Sequence, residues 1–314
     1  MNAGELPMIL FTVLAQMSVG AFVVLGVVHL VARLRGYSAQ EVDALSDPAV
    51  YAVGVTLVLG LAASALHMHD VFNVLNVFRH LDGSWLSREV ALGMLFAGCG
   101  FVFAACQWFG WGSATARSAL AMLTALIGVV FVAAMSMVYY TLVTVPAWHT
   151  WNTPVRFYTT ALLLGGLAVG TAFMTRVMLG RDDDTGWGRH SDAIDPARMR
   201  TLILGTLTAI AVLEVVLVGL IFVVTPVHIA NLYASGPVGA ASAHALTGPW
   251  YITRLVLVFV GAGLLTLFLF RLTAHQQRSP KPLALLVTIA FGCVFIAELL
   301  GRAAFYESMT RVGM

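Results

Sequence analysis

The chain has 314 residues, of which 60% are hydrophobic and only 10% charged, with a formal net charge of +2 and a mean hydropathy of +0.89. Soluble domains carry roughly 25% charged residues, so a water-soluble globular fold is excluded. Without a basic stripe to neutralise phosphates, nucleic-acid binding goes with it. What remains is an all-α, polytopic integral membrane protein, organised as a single domain over residues 1–314.

Eight apolar stretches approach the ~20 residues that a helix needs to cross the hydrocarbon layer. The spacing predicts spans from Pro7 to Val31, Val50 to His67, Leu86 to Phe109, Ser118 to Val143, Val155 to Leu179, Thr201 to Val224, Trp250 to Leu272 and Pro282 to Tyr306. Ahead of the first there is no Lys or Arg, and that apolar run is too long for the core of a cleavable signal, so it is expected to be a span. Pro7 and Pro282 suit first-turn positions, where a missing N–H does no harm. The 29 glycines allow close packing, since small residues let helix backbones approach in lipid. Cys99, Cys106 and Cys293 all fall within apolar runs and form no C-x-x-C pair, so neither an iron–sulfur cluster nor a zinc site is expected in this chain.

Orientation follows from the cations. Eleven of the 17 Lys and Arg residues lie at the ends of, and in the loops after, the first, third, fifth and seventh spans. By the positive-inside rule those ends face the cytoplasm, which puts both termini and the loop between His67 and Glu89 outside. The inner segment Gly180 to Arg200, with its run Asp182, Asp183 and Asp184, reads as a solvated loop. The outer loops His67 to Trp85, Pro146 to Pro154 and Thr225 to Pro249 are rich in Trp, His, Asn, Tyr and Pro. An interfacial aromatic belt accounts for part of this, and a docking platform for an extramembrane partner is the second reading.

Ionisable groups in a lipid-embedded bundle are expensive and tend to mark ligand or proton sites. His67 ends the second span and Glu89 opens the third, so a base and an acid face each other across one loop; idle hydrated side chains in the headgroup layer are the plain alternative. Glu298 and Arg302 are four apart with the acid first, the favourable order for a same-face ion pair, which is the simplest reading; a proton or ligand role is the other. Glu214 falls near the middle of the sixth span with no evident partner, and Arg156, just past Pro154, is placed to snorkel outward. Of nine histidines, only His29 lies well within a span, and His67 and His69 are two apart, so a helix points them to different faces. A bis-histidine haem is therefore not expected.

Several segments resemble the membrane anchor subunit of bacterial dimethyl sulfoxide reductase, the DmsC family. They are PMILFTVLAQMSVGAFVVL from Pro7 to Leu25, ASALHMHD followed by SWLSREVALG around His67 and Glu89, TVPAWHTWNTP from Thr144 to Pro154, and IAELLGRAAFY from Ile296 to Tyr306 with Glu298 and Arg302. Together they cover the chain from one end to the other. The resemblance implies an eight-helix, haem-free inner-membrane anchor. Such an anchor oxidises menaquinol in anaerobic electron transport and passes electrons to a four-cluster iron–sulfur subunit and on to a molybdopterin catalytic subunit; with His67 and Glu89 on the outer side, both partners are expected to dock on the outer face. It also implies catalytic roles for His67 and Glu89. This sequence departs from the family pattern after His67, where Met68 and His69 stand in place of the usual Leu-Gly.

Quinol oxidation needs proton acceptors near each hydroxyl. An imidazole that titrates near neutrality suits His67 for one of them, and Glu89 can take the other and release it to the outer water. Tyr139, Tyr140 and Trp148 are candidate ring-stacking walls, with an interfacial aromatic as the commoner role. His69, Tyr139, Trp148 and Arg302 complete the expected quinol pocket around His67 and Glu89. Two other classes stay open: a purely structural anchor, and a transporter, which would need a midplane site and paired internal repeats.

Overall fold

The computed structural model describes residues 5–67, 76–179, 196–273 and 281–312. Among these, nine helices account for nearly everything: α1 (Leu6–Leu34), α2 (Ala39–His67), α3 (Trp85–Phe109), α4 (Ala114–Tyr140), α5 (Asn152–Leu179), α6 (Pro196–Ala234), α7 (Pro237–Thr247), α8 (Pro249–Thr273) and α9 (Lys281–Glu307). The described residues contain no strand. Seven of the helices, all but α2 and α7, are long and apolar enough to cross a membrane. In α2 the described apolar stretch is shorter, Val53–Ala63.

Local chemistry sets the boundaries. Pro7 and Pro282 are each the second residue of their helix, as expected of a residue that lacks the N–H a first turn does not use. Ser84 and Ser113 cap α3 and α4, each accepting at 3.2 Å from the N–H three residues on. At the start of α2, Ser38 and Glu41 form a reciprocal capping box, with the Ser38 N–H donating to Glu41 at 2.7 Å and the Glu41 N–H to the Ser38 hydroxyl at 3.2 Å. The helix therefore begins at Ala39, eleven residues before the apolar run at Val50.

The expected outer loop from Thr225 to Pro249 is helical instead. α6 continues through Pro226 to Ala234, and α7 follows after Ser235 and Gly236. Proline removes the N–H that would reach the Phe222 carbonyl. The helix nevertheless persists because His228 and Leu232, four apart, both bury on one face.

α1 and α5 form the centre and are the most deeply enclosed of the spanning helices. They cross at Gly20 and Gly165, so closely that a Cβ on Gly20 would lie 1.7 Å from the Ala161 carbonyl oxygen. Phe22 of α1 packs edge-on against Phe96 and Phe103 of α3, both at 5.6 Å. α2 runs antiparallel to α1: the Ser18 and Thr56 hydroxyls meet at 2.9 Å, and Gly60 lies against Leu14. Continued along α2, that register brings the helix end at His67 to the end of the bundle where α1 begins. Glu89 lies there too.

The opposite end is tied by charge. Arg117 at the start of α4 reaches the buried Asp43 of α2, its Nε donating at 2.9 Å and its Nη2 also bonded. Gln107 donates to Asp47 at 2.8 Å. Arg198 of α6 pairs with Glu41 at 3.5 Å and lies 5.2 Å over the Tyr37 ring.

Candidate functional site

Glu89 stands on the fifth residue of α3, one turn below the Ser84 cap, and its side chain is buried at 7% exposure in a span. Among the described residues no cation lies within ion-pair distance of it. Arg302 of α9 and the Tyr139 and Tyr306 hydroxyls share this region with it. α4 ends by delivering Tyr139 to this place, where its hydroxyl meets that of Tyr306 at 3.0 Å. The segment after α4 folds Trp148 back beneath α9, with Nε1 donating to the Phe305 carbonyl at 2.8 Å. Tyr139 then packs edge-on to both Trp148, at 5.1 Å, and Phe305, at 5.2 Å.

Arg302 is held on two sides. Its guanidinium lies 3.9 Å over the Phe157 ring, and Nη2 donates to Gln16 Oε1 at 2.7 Å. That leaves the fully buried Gln16 Nε2 with no hydrogen-bond partner among the described residues. Gln16 thus offers a buried amide N–H, and Glu89 a buried carboxyl group, at this end of the bundle. Four of the six residues expected at this site, Glu89, Tyr139, Trp148 and Arg302, are thus brought together. Of His67 the helix end is placed but not the side chain, and His69 lies outside the described residues.

A second polar layer lies deeper. Glu298 does not pair with Arg302 on its own helix, contrary to the i, i+4 expectation. Its Oε1 takes Arg254 Nη2 of α8 at 2.9 Å, and its Oε2 takes the Thr160 hydroxyl of α5 at 2.6 Å. The two residues diverge because α9 is flanked by different neighbours: α8 and α5 supply the partners of Glu298, while α1 supplies Gln16 for Arg302. Arg156 does not snorkel to the surface either. It donates to the Gly301 carbonyl at 3.0 Å, across the bundle interface. Gly301 makes this layer possible, since a Cβ there would stand 2.4 Å from Arg254 Nε. Glu214 is fully buried against Gly166, with neither oxygen hydrogen-bonded among the described residues.

The sequence reading missed Gln16, Thr160, Arg254 and Tyr306 as members of these layers. A buried ion pair that loses one partner is strongly destabilised. Arg254→Met, which strands the Glu298 carboxylate, is therefore expected to cost about 3–5 kcal/mol. Adding Glu298→Gln should restore much of the loss, as read by thermal unfolding in detergent; additive losses would show that the two residues act separately.

Comparison with known proteins places these residues in a wider set. The family model for the DMSO reductase anchor subunit (DmsC) matches residues 1–183. The C subunit of the anaerobic dimethyl sulfoxide reductase of Escherichia coli K12 is 30% identical over 313 residues, covering 99% of this sequence and 96% of that protein. YnfH of the same organism, also named as a subunit of an anaerobic dimethyl sulfoxide reductase, is 26% identical over 317 residues with the same two coverages. The C subunit of the Haemophilus influenzae enzyme is 30% identical over 180 residues, 55% of this sequence and 61% of its own length.

Proposed function

The chain belongs to the family of DMSO reductase anchor subunits (DmsC), and from that premise we propose that it oxidises menaquinol at the Glu89 end of the bundle. It is a multi-pass membrane protein and serves as a membrane anchor in anaerobic respiration. On our reading α2 is the eighth span, since its 29 residues reach about 43 Å at 1.5 Å per residue. An even number of spans puts both termini on one side. The excess of arginine at the Arg117 end supports a cytoplasmic placement of that end, so on this reading the protein sits in the inner membrane with the Glu89 end facing outward.

The observation that carries the reading is Glu89. A buried acidic group with no ion pair among the described residues is costly, and Glu89, unlike the equally unpaired Glu214 in the middle of α6, stands in the first turns of its helix, where a proton can pass to the outer water. Menaquinol gives up two electrons and two protons to become menaquinone. His67 takes one proton and Glu89 the other, and both protons leave to the outer water. The two electrons pass to a four-cluster iron–sulfur subunit docked on the same face, and from there to a molybdopterin catalytic subunit. Arg302, fixed over Phe157, and the Tyr139 and Trp148 rings hold the quinol head group in place. The anchor itself carries no haem and no iron–sulfur cluster in this scheme.

Titration of the purified complex with a quinone-site inhibitor tests the proposal. Binding is expected to be saturable and to weaken at least tenfold, about 1.4 kcal/mol, in His67→Ala, while the partner subunits still co-purify. Unchanged inhibitor binding in the variant would leave a structural tether, and a midplane site lost on changing Glu214 instead would favour a transporter.

A further inference from the structure

α1 and α6 do not pack against each other along the half of the bundle nearest Arg117. Between them lies a crevice of about 340 Å³, walled by Val24, Val27 and Val31 of α1 and by Gly205 and Ala209 of α6, with Leu162 of α5 at its deep end. Its walls are almost wholly apolar. At the membrane surface, however, the crevice ends on Arg35, Tyr37 and Thr201. Arg35 is exposed and has no carboxylate within 4 Å among the described residues, whereas Arg198, 5.2 Å over the neighbouring Tyr37 ring, is already paired with Glu41 at 3.5 Å. Along α6 the lining runs from Thr201 to Leu213, which at 1.5 Å per residue is about 18 Å. One leaflet of hydrocarbon is about 15 Å deep.

We propose that this crevice is a phospholipid site, which takes one acyl tail along the valines of α1 and an anionic head group against Arg35. Each part of the ligand meets a matching surface. The tail covers Val27 and Val31, which are 54% and 38% exposed, and the phosphate meets guanidinium where only an apolar wall lies below it. The small side chains of Gly205 and Ala209 keep the α6 wall shallow enough for a tail to lie in it. A Cβ on Gly205 meets no atom within 4 Å, so a larger side chain there grows into the crevice rather than into the protein. The site lies at the opposite end of the bundle from Glu89 and stands independently of the quinol reading.

Native mass spectrometry of the delipidated complex, titrated with phosphatidylglycerol or with phosphatidylcholine of the same acyl tails, tests the site. One phosphatidylglycerol is expected to be retained at least fivefold more strongly than phosphatidylcholine. Arg35→Glu should abolish that preference, and Gly205→Phe should remove the adduct from a complex that still turns over. Equal retention of the two lipids, or an adduct indifferent to both substitutions, overturns the proposal. So does one-for-one displacement of phosphatidylglycerol by menaquinone, which would give the crevice to an isoprenoid tail.

Discussion

Replacing Glu89 by Gln should lower menaquinol-dependent turnover by about two to four orders of magnitude, the range a positioned proton acceptor contributes, while the complex remains assembled. Glutamine keeps the size and most of the polarity of glutamate but cannot accept a proton, so it removes the chemistry and spares the packing around Tyr139 and Tyr306. The expected result has two arms. Reduced naphthoquinone as electron donor should drive almost no reduction of the terminal acceptor. A soluble dye that donates directly to the partner subunits should drive it at the unsubstituted rate. Normal turnover with the quinol would sink the assignment, and loss of both rates would mean that the substitution had disrupted assembly rather than proton transfer.

The second large effect concerns the fold. Gly165→Val should abolish recovery of monodisperse protein from the membrane. A Cβ at Gly165 would stand 2.1 Å from the Gly20 carbonyl carbon and 2.2 Å from the Ala21 nitrogen. Both are backbone atoms of the central helix, so no side-chain rotation relieves the clash. Ordinary overpacking of a core costs about 1–3 kcal/mol, and here α1 and α5 must separate along their crossing, which loosens everything packed on either. Gly98→Ala supplies the contrast, since a Cβ on Gly98 meets nothing within 4 Å. Size-exclusion profiles of the two variants in detergent should differ completely, and a well-behaved Gly165→Val would show the crossing to be looser than described.

Much of this architecture can be read from the order of residues. Seven of the eight expected spans correspond to helices long enough to cross a membrane, because twenty apolar residues in a row have few other uses. The start of α2 is also written in the sequence, in Ser38 followed three residues later by Glu41, but that signal is local and polar and stands well ahead of the apolar run beginning at Val50. Pro226 misleads in the opposite sense. A proline ends most helices in water, whereas here the buried faces of His228 and Leu232 outweigh one missing hydrogen bond.

The site divides in a similar way. Glu89, Tyr139, Trp148 and Arg302 stand out singly, as polar or aromatic residues at span ends. Their partners do not, because the bonds that organise them join residues far apart in the chain: Gln16 to Arg302, Thr160 to Glu298, Arg254 to Glu298. The spacing of Glu298 and Arg302 suggests a bond within one helix, and three-dimensional neighbours supply better ones. Only the arrangement of helices around α9 decides between those possibilities.

The link from Arg254 to Glu298 bears on how the protein is made. A charged residue at the centre of a lone helix costs about 2.5–3.5 kcal/mol when it partitions from the translocon into lipid, and less nearer the ends, and Glu298 stands roughly 13 Å from the end of α9 at 1.5 Å per residue. α8 emerges from the ribosome first with Arg254 unmatched, and α9 brings the Glu298 that neutralises it, while the Arg302 of α9 is met by Gln16 of the earlier α1. The two helices therefore enter the bilayer most cheaply as a preformed hairpin, which makes the final 60 or so residues a single unit of biogenesis.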